Sequence, residues 1–202
     1  MVYALDPARE RVGVATLGTG YASLLLLAAT LSIGPWRILR GQAAPLNIDL
    51  RRDLGIWAAL SGLVHVVLGL QMHFNGDWVR YFFVRTDRGL RLLLNFGGLA
   101  NHAGLLATAL LAALLLVSND VGLRRLGASR WKRLQQGNYP LVLLTVAHTA
   151  AYQVLTRRPW TLMAGLLLLS AVLAGLQGLG MKARRGRGLP PPGPDAPEPH
   201  RG

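Results

Sequence analysis

Five apolar stretches, each close to the length a helix needs to cross a bilayer, constrain this chain more than any other feature. The hydrocarbon core of a bilayer takes roughly 20 residues of helix. Runs of that kind cover Gly13–Gly34, Leu54–Met72, Asn95–Val117, Tyr139–Leu155 and Trp160–Met181. In lipid a backbone group must find its partner within the segment, so such runs fold as helices. The fold expected is all-α, a polytopic membrane helix bundle of about five transmembrane helices. Pro35 is expected to end the first helix, because its ring cannot donate to the helical ladder. The fourth run is the shortest, and its polar flanks, "SRWKRLQQGN" and "TRRP", favour a crossing.

Three parts follow: an N-terminal segment 1–12, a membrane domain 13–181, and a basic, Pro-rich tail 182–202 whose composition cannot pack a core and is expected to be disordered. The first run is longer than a signal-peptide core and leads into further spans, so no cleavable leader is expected. The formal net charge of +13 would suggest nucleic acid in a soluble chain. Here the basic residues stand in short connections beside membrane-length runs, where head groups and topology account for them and no nucleic-acid partner is implied. Fourteen of the lysines and arginines fall in the first and third connections and the tail, and eight on the other side. That bias places the N-terminus outside and the C-terminus in the cytoplasm. With no cysteine, disulfides, thiolate metal sites and thiol catalysis are excluded.

Ionisable side chains inside spans are costly and mark function by default. His65, in "GLVHVVLGLQMHF", lies within the second run, His102 within the third and His148 within the fourth. At 1.5 Å per residue, His65 is roughly 20 Å along its helix from Arg52, and His148 roughly 22 Å from Arg133. Both helices run outward, so the two imidazoles share one depth in the outer half of the membrane. Such a pair can ligate a planar metal cofactor from both sides, and imidazole is an axial ligand of heme iron. It also suits zinc or copper. Gly62 and Gly69 flank His65 at i−3 and i+4 and leave room for a large flat ligand, with Ala151 giving partial clearance beside His148. The same small residues equally serve close helix packing, and a lone histidine equally serves an interhelical hydrogen bond. His102 is open to three roles: replacing a ligand, bonding a heme propionate, or bonding another helix. The propionate or supporting role is the one favoured.

Two blocks, "RRDLGIWAALSGLVHVVLG" and "SNDVGLRRLGASRWKRLQQGNYPLVLLTVAH", resemble the ferric reductase-like transmembrane domain family, and within it the MsrQ-type heme-binding membrane subunits. The likeness covers about Asp49 to Tyr152. It implies b-type heme held by His65 and His148 as metal ligands, and electron transfer across the membrane to a periplasmic reductase partner. Where those subunits carry a histidine just after W-K-R-L, this chain has Gln135, and Arg51 or Arg52 stands at the corresponding position before His65. One heme is therefore expected, not two.

The donor must come from elsewhere, since no Gly-rich nucleotide fingerprint follows a strand. A cytoplasmic flavin reductase or a quinol would supply electrons, with FMN or a quinone as a second carrier. The segment "RRLGASRWKR", Arg133 included, could hold a flavin phosphate or an acidic reductase face. Its other reading is topogenic charge and lipid contact. The function expected is a heme electron-transfer subunit of a membrane oxidoreductase, with a methionine sulfoxide reductase, ferric iron, oxygen or a quinone as acceptor. The competing class is a heme-free membrane transporter or assembly partner whose histidines are structural or bind a metal ion. No internal repeat supports a transporter.

Overall fold

The computed structural model describes residues 7–41 and 48–187, and the chain over them is a helical bundle with one small hairpin. Seven helices follow in order: α1 (Pro7–Leu39), α2 (Ile48–Met72), α3 (Val79–Phe82), α4 (Phe96–Val117), α5 (Asp120–Gln135), α6 (Asn138–Leu155) and α7 (Trp160–Gly186). Four of them, α1, α2, α4 and α7, are long and apolar enough to cross a membrane. The expected fourth run does form a helix, α6, but at 18 residues with polar residues at both ends it falls outside that set.

Proline 35 does not stop α1, contrary to expectation: the helix continues to Leu39. The reason lies on the last helix. Proline leaves the carbonyl four residues back, that of Leu31, without its donor. The Gln177 side chain on α7 donates to that carbonyl at 3.0 Å. Gly180, one turn on, admits the ring, for a Cβ there would come within 2.8 Å of Pro35 Cβ. The break is thus repaired from a neighbouring helix.

Two connections expected to be loops carry structure. Between α2 and α4, a single 3₁₀ turn (Phe74–Gly76) and α3 lead into an antiparallel hairpin, β1 (Phe83–Thr86) and β2 (Gly89–Leu92). Asp87 and Arg88 form its two-residue loop, and Gly89 takes φ 105°, which glycine adopts without strain. The fold is therefore not wholly α. The basic segment after α4 is the helix α5, capped by the Asn119 side chain, which accepts from the Gly122 N–H at 2.7 Å. It kinks at Gly127, where φ is 73°.

The core sits between α1, α2, α4 and α6, around Leu27, Ala58, Ala107, Leu114 and Leu141. Helices α1 and α2 approach closely over small residues: Ala58 and Ala59 are buried, and the Ser23 hydroxyl donates to the Ala58 carbonyl at 2.8 Å. A second cluster, Ala28, Leu31 and Leu173, ties α7 to α1. Large apolar side chains point outward along the bundle, among them Leu25, Leu116, Leu143 and Leu167. In lipid that surface is solvated by acyl chains, so the exposure is no defect. Helix α7 runs to Gly186, so Lys182 to Arg185 are helical. The rest of the expected disordered tail, 188–202 with His200, lies outside the described residues, as does most of the first connection.

Candidate functional site

The structure brings His65 of α2 and His148 of α6 together, ring centroids 6.2 Å apart and planes at 86°. Each ring is held in the same way by the helix beside it. His65 Nδ1 lies 2.8 Å from the Thr16 carbonyl of α1. His148 Nδ1 lies 2.9 Å from the Ala100 carbonyl of α4. A carbonyl only accepts, so each Nδ1 carries the proton and donates, leaving each Nε2 with a free lone pair. Among the described residues neither Nε2 has a protein partner.

A glycine makes each seat possible. Four residues beyond Thr16 is Gly20, where a Cβ would stand 2.7 Å from His65 Nδ1. Four residues beyond Ala100 is Gly104, where a Cβ would stand 2.7 Å from His148 Nδ1. Carbonyl and glycine lie one turn apart on one helix face, so each seat is a backbone acceptor followed by a gap the imidazole fills. The sequence reading missed both glycines. Their signal is present, as single glycines within the apolar runs of α1 and α4, but glycines in spans are common and only the fold shows which ones face a histidine.

The two rings line a cavity of about 430 Å³ between α1, α2, α4 and α6. That volume is within the range of small-molecule sites. Gly62 and Gly69 are on its wall with His65. A Cβ at Gly62 would meet Leu111 Cδ2 at 2.6 Å and Ser23 Oγ at 2.9 Å, whereas one at Gly69 would meet Thr16 Cγ2 at 3.6 Å. Gly62 therefore also serves close packing.

The other two residues singled out from sequence lie apart from that cavity's lining. His102, on α4, packs against Phe82 with ring centroids 5.7 Å apart, and its Nε2 is buried with no hydrogen-bond partner among the described residues. Arg133 is exposed on α5. Gln135 is already engaged: its amide donates to the Ser118 hydroxyl at 3.2 Å, and its carbonyls, backbone and side chain, accept from Asn138 Nδ2. It joins the ends of α4, α5 and α6.

Behind His148 a polar chain runs towards the hairpin. The Tyr152 ring lies 4.8 Å from the His148 ring, and its hydroxyl donates to Asn101 Oδ1 at 2.5 Å. Asn101 Nδ2 donates to the Tyr81 carbonyl at 2.8 Å. Tyr81 is buried, and its hydroxyl lies within 3.2 Å of three carbonyls at the end of α2. The hairpin end is thereby fastened to the wall of the histidine cavity.

Two metal–nitrogen bonds of about 2 Å, with roughly 1 Å more from each nitrogen to its ring centre, separate the rings by about 6 Å when they hold one metal from opposite sides. The observed spacing fits that arrangement, and the Nδ1 bonds orient the rings as supporting partners of metal-bound imidazoles do. Among the described residues no group of three or more histidines and carboxylates gathers to hold a bare ion. A cofactor that brings its own equatorial ligands suits this donor set better than an ion needing a full shell of side chains.

Two imidazoles lining one cavity among apolar helices, four of them long enough to cross a membrane, mark a multi-pass membrane protein. The chain belongs to the family of ferric reductase like transmembrane components, whose pattern matches residues 19–146. His65 and His102 fall inside that match and His148 two residues past it. Over 130 residues the chain is 35% identical to the protein-methionine-sulfoxide reductase heme-binding subunit MsrQ of Xanthomonas campestris pv. campestris, and equally to that of Xanthomonas axonopodis pv. citri. It is 33% identical to the same subunit of Xanthomonas oryzae pv. oryzae. Each match covers 64% of this chain and 54% of the relative, so the chain spans about half the length of the curated relatives it matches. No solved structure matches it at a significant level. The chain is a multi-pass protein of the bacterial inner membrane.

Proposed function

We propose that this protein is a b-type heme subunit that carries electrons across the inner membrane to an acceptor on the periplasmic side. The reading rests on one observation above all: two imidazoles 6.2 Å apart, each with Nδ1 committed to a backbone carbonyl and Nε2 free. The heme-binding subunits it resembles add support. His65 and His148 would be the axial ligands of a single heme, with Gly20 and Gly104 seating the rings and Gly62 and Gly69 along the wall. Heme so held supplies a one-electron carrier in the low-dielectric core.

The chain's own residues do the rest. The seats fix both rings, so His65 and His148 would hold an iron placed between them with little movement of the protein, and the group would supply one-electron transfer. The apolar wall keeps water from the iron. His102 supports Phe82 at the cavity margin and is not an axial ligand. Gln135, already bonded to Ser118 and Asn138, leaves no imidazole for a second heme at the α5 end.

In this reading α6 is the fourth of five crossings, despite its moderate hydropathy, because His148 would otherwise not lie opposite His65 in the bundle. The N-terminus and the hairpin lie in the periplasm, the tail in the cytoplasm. A periplasmic methionine sulfoxide reductase is the acceptor class, by analogy with the subunits named above. A flavin reductase or a quinol is the donor class, with Arg133 and its neighbours on α5 facing it.

The purified protein should show a low-spin bis-histidine heme spectrum in oxidised and dithionite-reduced forms. His65→Ala and His148→Ala should each abolish it while far-ultraviolet circular dichroism stays helical. A folded, colourless protein from heme-replete cells defeats the reading.

A further inference from the structure

The histidine cavity is apolar around Leu27, Leu111 and Leu141 and polar at its other end, around Tyr21, Gln153 and Arg158. Arg158, itself exposed, is the one lysine or arginine in its lining among the described residues. It follows the end of α6, where Arg157 takes φ 49° and turns the chain, and its N–H is held by the Gln153 carbonyl at 3.0 Å. Gln153 is 6% exposed and also lines the cavity. Its amide Nε2 donates to the Tyr21 hydroxyl at 2.9 Å. That hydroxyl, now an acceptor, keeps its own proton with no acceptor among the described residues. Gln153 Oε1 is buried with no donor among the described residues.

The polar end therefore offers a guanidinium and an unspent hydroxyl proton, and wants one donor. This is the complement of a carboxylate accompanied by a water: the carboxylate takes Arg158 and Tyr21, and the water bridges it to Gln153 Oε1. From His148 to Arg158 is at most roughly 15 Å of helical rise, which half a porphyrin, a propionate arm and an extended arginine together span. Resting on the heme reading above, we propose that Arg158 and Tyr21 anchor the heme propionates, Gln153 orienting Tyr21. The apolar end of the cavity, around Leu27, Leu111 and Leu141, would take the apolar edge of the group.

The test compares hemin with its dimethyl ester, in which both carboxylates are masked. Full-length protein made under heme starvation is titrated with each in detergent and followed by absorbance. The wild type should bind hemin about tenfold or more tighter than the diester, the discrimination of one charge-assisted hydrogen bond or more. Arg158→Ala with Tyr21→Phe should bring the two affinities together by weakening hemin alone, and Arg158→Lys should restore part of the difference. In the hemin-loaded Arg158→Ala protein the midpoint potential should fall, because a nearby cation favours the added electron. Equal binding of hemin and diester by the wild type overturns the anchor and leaves the two-histidine site standing, as does discrimination that survives in the double variant. Failure of the wild type to bind either compound overturns the heme reading itself, and the anchor with it.

Discussion

The two histidine seats are alike in plan and unlike in surroundings. On the α1–α2 side the Thr16 carbonyl and Gly20 receive His65 within a tightly packed pair of helices, where Gly62 meets Ser23 and Leu111. On the α4–α6 side the Ala100 carbonyl and Gly104 receive His148, but the ring also lies against Tyr152, whose hydroxyl leads through Asn101 to Tyr81 and the hairpin. Each ring has one backbone hydrogen bond. The His148 ring has in addition a contact with Tyr152, whose hydrogen bonds run through Asn101 to the buried Tyr81. The difference teaches that the orientation of both rings is set by backbone carbonyls, which substitution cannot easily alter, while the link from His148 towards the hairpin is carried by side chains, which it can.

The largest expected effects test the shared plan. Gly20→Val and Gly104→Val should each cut heme content about tenfold or more, since any Cβ would have to stand 2.7 Å from the ring it faces. Quantitative pyridine hemochrome assay checks this, and a variant that keeps full occupancy breaks the equivalence of the seats. Next comes the packed side: Gly62→Ala should destabilise the fold by about 1–3 kcal/mol through overpacking against Ser23 and Leu111, read as a lower melting temperature. Tyr152→Phe probes the other side. It should cost about 1 kcal/mol and shift the heme potential with little loss of heme, and a change no larger than that of a control on the His65 side erases the asymmetry. Gly69→Ala should be nearly silent, below about 0.5 kcal/mol, because its Cβ would meet only Thr16 Cγ2 at 3.6 Å. Gln135→His, with arginines opposite, should leave the heme-to-protein ratio unchanged.

Much of the bundle could be read from the chain because length and hydropathy report directly on crossing a bilayer. The proximity of His65 and His148 followed from counting helical rise from the nearest arginines. The seats could not be read in that way. A carbonyl has no sequence signature, and which glycine faces which ring depends on helix rotation, which the very apolar runs leave almost undetermined. Helix α5 was hidden by its charge, although "SND" before it is a capping signal. The hairpin was hidden by its brevity: four residues a side is too short for alternation to stand out. Pro35 misled because its effect is local only when no other helix supplies the missing donor.

That last repair ties α1 to a distant part of the chain. Helix α1 carries a defect that α7, more than 140 residues later, heals. Until α7 arrives, the Leu31 carbonyl lacks this donor, so α1 reaches its final shape only once α7 has been made. Helix α7 adds no wall to the histidine cavity among the described residues, yet its loss would be felt there, through an α1 free to bend at Leu31–Pro35 and so to shift the stretch in which Thr16 and Gly20 seat His65.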